Sequence, residues 1–69
     1  MRMKKALKLS NEIVVGKAYV KAHYGIRSKD KAVRLYGCDK SEAKELASQI
    51  ASKINGAVRV AAGFVAVWF

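Results

Sequence analysis

Residues 17–24 read Lys17-Ala18-Tyr19-Val20-Lys21-Ala22-His23-Tyr24, and this stretch decides the fold class. Its odd positions, Lys17, Tyr19, Lys21 and His23, are cationic or aromatic. The even positions from Val14 through Gly16, Ala18, Val20 and Ala22 to Tyr24 are mostly small and apolar. A strand points successive side chains to opposite faces, so this pattern predicts a sheet with one apolar and one basic, aromatic side. Extended backwards, the pattern predicts a long strand from about Ile13 to Tyr24, with Gly16 as a bulge or bend.

Downstream, Gly25 to Lys31 is a polar connection carrying Arg27, Lys29 and Lys31 against Asp30, which suits an open hairpin loop. A second strand is expected over about Ala32 to Gly37, with Val33 and Leu35 on the apolar side and Arg34 and Tyr36 on the other. Asp39 is then a good N-cap, and Glu42 three residues on completes an Asp-x-x-Glu capping box. Ala43, Leu46, Ala47, Ile50 and Ile54 make one apolar stripe at helical spacing, and Asn55-Gly56 supplies a left-handed stop. Val58 and Val60, then Phe64 to Phe69, are β-branched or aromatic and predict two more strands joined at Ala62-Gly63. Upstream, Ser10-Asn11-Glu12 is turn-like. Residues 1–9 alternate loosely, with Met3, Leu7 and Leu9 against Lys4 and Lys8, predicting a short strand from near Lys4 or a basic arm.

The expected fold is therefore α+β, one domain over residues 1–69, in the order (β)ββαββ. An antiparallel sheet of four or five strands has one helix packed on one face. That helix, through Leu46, Ile50 and Ile54, would cover Val14, Val20, Val33 and Leu35. Phe64, Trp68 and Phe69 either close the core under the helix or form an aromatic interface. The final strand is expected at a sheet edge, giving a monomer or a homodimer through that edge.

Charge narrows the functional classes. Fourteen Lys and Arg against five Asp and Glu give a net charge of +9 on 69 residues. Ten of those cations fall in residues 1–34, beside only Glu12 and Asp30. Such a field favours anionic partners: DNA or RNA directly, or an acidic protein surface. The candidate binding residues are Lys17, Tyr19, Lys21, His23, Arg27, Lys29, Arg34 and Tyr36, since cations can track phosphate while tyrosines stack on bases. Catalysis is not expected. Cys38 and His23 are the only residues of their kinds, without an evident orienting group, although a thiol beside a helix start would favour its thiolate. The scattered acids sit where a helix N-terminus uses them, and neither a metal nor another cofactor is expected. The lone cysteine fits a reducing cytoplasm, and no apolar run is long enough for a signal segment or a membrane span.

The segment Asp39-Lys40-Ser41-Glu42-Ala43-Lys44-Glu45-Leu46-Ala47-Ser48, with Gly56-Ala57-Val58-Arg59-Val60 and the Trp68-Phe69 end, resembles small phage-encoded inhibitors. Among these it is similar to compact anti-CRISPR and host-takeover proteins that pair an antiparallel sheet with one helix. The resemblance implies a non-enzymatic protein that covers a surface on a host nucleoprotein complex, in the host cell cytoplasm. It assigns no site residues.

Overall fold

The computed structural model describes every residue except Ser28. Its elements are α1 (Met3–Asn11), β1 (Tyr19–Tyr24), β2 (Lys31–Tyr36), α2 (Lys40–Ile54), β3 (Ala57–Ala61) and β4 (Phe64–Trp68). The fold is α+β, with two helices on a four-stranded antiparallel sheet in the order β1-β2-β4-β3.

The expected N-terminal strand or arm is a helix. Met3, Ala6, Leu7 and Ser10 recur at helical spacing, and all four are buried or half-buried. Ser10 can lie fully inside because its Oγ donates to the Ala6 carbonyl at 2.7 Å. The expected turn at Ser10 and Asn11 is thereby absorbed into α1, whose last residue is Asn11. The long strand expected from Ile13 is also shorter, since pairing starts at Tyr19. Between them, the Ala18 N–H donates to the Val15 carbonyl across a turn in which Gly16 takes φ +65°. Gly16 does bend the chain, but before the strand rather than within it.

The second helix forms as its sequence predicts. The Glu42 N–H donates to Asp39 Oδ1 at 2.8 Å, closing the N-terminus. Asn55 itself takes the left-handed conformation at φ 55°, and the Gly56 N–H returns to the Ala51 carbonyl. At the far hairpin, Ala62-Gly63 is the two-residue turn, with Gly63 at φ +96°.

The core lies between the helix layer and one sheet face. Ala43, Ala47, Ile50 and Ile54 of α2 pack with Val33, Leu35, Val65 and Val67, while Ala6 brings α1 in alongside. Val14 and Val20 flank this cluster, half-buried. Alpha-1 covers the β1–β2 side and α2 the β4–β3 side, so two short helices do what one was expected to do. Strand β4 is interior, between β2 and β3. The homodimer expected through a C-terminal edge strand therefore has no edge to use. The edges are β1 and β3.

Candidate functional site

The uncovered sheet face is set by register. Lys21 pairs with Arg34, Arg34 with Ala66, and Ala66 with Arg59. These residues stand in one line across all four strands, about 14 Å from the first strand to the fourth at the usual ~4.8 Å spacing. On one side of this line Tyr19 pairs with Tyr36 and Phe64 with Ala61. On the other, His23 pairs with Ala32, Ala32 with Trp68, and Trp68 with Ala57. A cationic row is thus flanked by two rows carrying aromatic rings. No carboxylate belongs to these paired positions.

The side chains lock together across the strands. The Tyr19 and Tyr36 rings stack at 5.3 Å between centroids, only 10° from parallel. Lys21 Nζ lies 5.9 and 5.6 Å from those two centroids. The Arg34 guanidinium sits between Tyr36 at 4.9 Å and Phe64 at 4.1 Å. His23 approaches Phe64 at 5.8 Å and meets Trp68 nearly edge-on at 5.6 Å. Cation–π contact orients the charges without neutralising them, so they remain available to an anion. Arg34 Nε is sealed from solvent and has no hydrogen-bond partner among the described residues.

The expected residues divide into three groups. Tyr19, Lys21, His23, Arg34 and Tyr36 are brought together on this face. Lys17 is not on the strand: it is exposed in the preceding turn, its carbonyl against Gly37 at the Tyr19–Tyr36 end. Arg27 and Lys29 belong to the β1–β2 connection. Lys29 lines a shallow cavity of about 360 Å³ with Asp30, Arg59, Trp68 and Phe69, which prolongs the face at its His23–Trp68 end. Ser28 of the expected loop lies outside the described residues. Lys31 turns away: its Nζ donates to the Met1 carbonyl at 2.8 Å and lies over the Phe69 ring.

Arg59 escaped the sequence reading, which left Phe64 and Trp68 between the core and an aromatic interface. Parity was the available signal, because Val65 and Val67 are the inward residues and leave Phe64, Ala66 and Trp68 outward. Phe64 and Trp68 thus do not close the core under a helix. Phe69 alone of the three packs against the core cluster.

Cys38 and His23 are not brought together. His23 pairs with Ala32 at one end of β2, and Cys38 lies beyond the other end, about 20 Å away at the strand rise. The expectation of a favoured thiolate at Cys38 is reversed as well. Partial burial raises the thiol above its ordinary value, and the Glu42 and Asp39 carboxylates beside it raise it further. Among the described residues no three His, Cys, Asp or Glu side chains converge on a metal site, and no helix is long and apolar enough to cross a membrane.

No protein-family profile, curated protein or solved structure matches the chain.

Proposed function

We propose that this protein is a binding module without catalysis, whose open sheet face takes single-stranded nucleic acid. The observation that carries the reading is the Lys21–Arg34–Arg59 row set between ring-bearing rows on one continuous surface. The cations meet phosphates and the rings take unpaired bases. The small residues at 32, 57, 61 and 66 put no bulk between the rings, and Ala32 and Ala66 are fully buried beneath their neighbours, so a base meets rings and cations rather than the sheet backbone. A duplex hides its base faces and would leave the aromatic residues without a task.

An acidic protein surface on a host nucleoprotein complex, the target implied by the resemblance to phage inhibitors, is the competing occupant. It accounts for the cations but does not require rings on both sides of them.

Trp68 is the only tryptophan and stands on this face, so its fluorescence is a direct probe. Titration with a thymidine oligonucleotide should quench it as bases stack. Three row cations on phosphate should give a log–log salt slope near −2, at about −0.7 per contact. Polyglutamate should bind weakly and leave the emission unchanged. Failure of the oligonucleotide to bind at low salt, with retention on an acidic host complex, would transfer the face to the competing reading.

A further inference from the structure

The helix layer, opposite the sheet face, carries cations that the sheet reading does not use, and four of them line one open cavity. Arg2, Lys4, Lys5 and Lys8 are exposed on and beside α1, and among the described residues Glu12 is the one acid that lines the same cavity. Met3, Ala6, Leu7 and Ser10 turn inward, so the helix shows its basic side outward.

The fold itself does not favour this arrangement. A helix is stabilised by acids in its first turn, and α1 has none there; it places Lys4 and Lys5 at its positive end. Arg2 occupies the N-cap position and makes no side-chain capping bond. The second helix of the same chain follows the opposite rule, with Asp39 as cap and Glu42 in its first turn. Charges that act against their own helix dipole on a solvent-facing surface call for an external anion.

We propose that the outer side of α1 is a second phosphate-binding surface, which takes a double-stranded segment while the sheet face holds a single strand. This rests on the sheet reading above. Three features select the occupant. The patch holds no aromatic residue, so it has nothing to stack on an unpaired base. Duplex DNA presents one charge per ~1.7 Å of axis, twice the linear density of either of its strands. The apolar residues of α1 pack against the core, and only the half-buried Leu7 and Leu9 reach the surface beside these cations, too little apolar area for a helix that inserts in a bilayer. The helix layer and the open face are opposite surfaces of a body whose smallest Cα extent is 17 Å, so both segments can be held at once.

The test is sandwich capture. Immobilised single-stranded thymidine 20-mer is loaded with protein and offered a fluorescent 20-base-pair duplex at moderate salt. Wild type should retain the duplex. Lys4→Glu with Lys5→Glu leaves Arg2 and Lys8 against two new acids and Glu12, so the patch changes from net positive to net negative. This variant should lose duplex capture at least tenfold while its affinity for the single strand falls no more than a few-fold. Because acids then occupy the first turn, its melting temperature should rise, which separates lost binding from lost folding. Wild-type protein that binds the 20-mer but retains no duplex overturns the proposal. So does a variant that retains duplex as wild type does, since the bridge would then run through another surface or through self-association. Stronger wild-type binding to phosphatidylserine vesicles than to duplex also overturns it. If the 20-mer is not bound at all, the sheet reading fails instead, and direct duplex titration of the two proteins still decides the α1 surface by the same tenfold criterion.

Discussion

Arg34 gives the sharpest separation of binding from folding, and Arg34→Met is the substitution to make. Methionine keeps an unbranched stem between Tyr36 and Phe64 but removes the charge and all donors. Two cation–π contacts are lost, at 4.9 and 4.1 Å, together about 1–2 kcal/mol. Against this, the substitution removes an Nε that is buried without a partner, a penalty of about 1–3 kcal/mol. The terms oppose each other and have similar size, so stability should change by about 1 kcal/mol or less. For a domain this small that is a melting shift of under about 8 °C. Binding has no such compensation. A guanidinium–phosphate hydrogen bond contributes about 1.5–3 kcal/mol, so affinity for a single strand should fall about 10- to 150-fold. The salt slope should become shallower by about 0.7. Arg34→Lys should restore the slope, because it restores the charge. Trp68 quenching read at several salt concentrations, beside a thermal melt, measures all of these. An Arg34→Met protein with unchanged affinity and slope would refute a phosphate contact at the centre of the row, and one that fails to fold would make Arg34 a structural residue.

Three further outcomes test the scaffold. Asp39→Ala removes the acceptor of the Glu42 N–H and should cost about 1 kcal/mol, a melting loss of about 4–8 °C, with oligonucleotide affinity unchanged. Gly37→Ala should destabilise far more than Gly63→Ala although both have positive φ (+74° and +96°). A Cβ at Gly37 would lie 2.1 Å from the Lys17 carbonyl, whereas one at Gly63 meets nothing within 4 Å, and paired denaturant melts will rank them. Iodoacetamide should modify Cys38 more slowly than a free thiol at neutral pH, because burial and the Glu42 and Asp39 carboxylates disfavour the thiolate. The rate should keep rising as pH passes above the ordinary thiol range, and a rate that levels off below that range would show a stabilised thiolate.

The segments legible in the sequence carry their own local signals. Alpha-2 has a cap acceptor, an inward stripe and a left-handed stop within 17 residues, so it needs no distant contact to be recognised. Strand β2 reads correctly because Val33 and Leu35 alternate with Arg34 and Tyr36, and that alternation already assigns Arg34 and Tyr36 to the open face. Alpha-1 lacks those signals. Its cap is Arg2, its first turn is basic, and its inward side includes Ala6 and Ser10, which hydropathy does not mark as core. Met3, Leu7 and Leu9 share odd parity, so a strand pattern fitted the same residues. The order of strands is a different kind of problem. That β4 lies inside the sheet depends on its pairing with β2, about 34 residues earlier, and no local pattern encodes the choice. Three of the eight named residues of the candidate face, Phe64, Trp68 and Arg59, could not be assigned to it for that reason.

That central pairing also explains why the face needs the whole chain. The order α-β-β occurs twice, and the second strands of the two units, β2 and β4, lie side by side and antiparallel. Val33 pairs with Val67 beneath the helices, both fully buried, and an approximate twofold passes close to this pair. It relates Ala32 to Ala66, both fully buried beneath the face on either side. It also relates Arg34 to Trp68, where the chemistry diverges. The first unit supplies Lys21, Arg34 and the stacked tyrosines; the second supplies Phe64, Trp68 and Arg59. The contacts that fix the surface cross the seam: Arg34 lies on Phe64, and His23 reaches both Phe64 and Trp68. Neither unit alone carries a cation row flanked by rings on both sides. The second unit alone would also leave Phe64 and Trp68 without the partners that orient them. Packing of the two units through Val33, Val67 and the helix layer therefore does two things at once, closing the core and assembling the binding face.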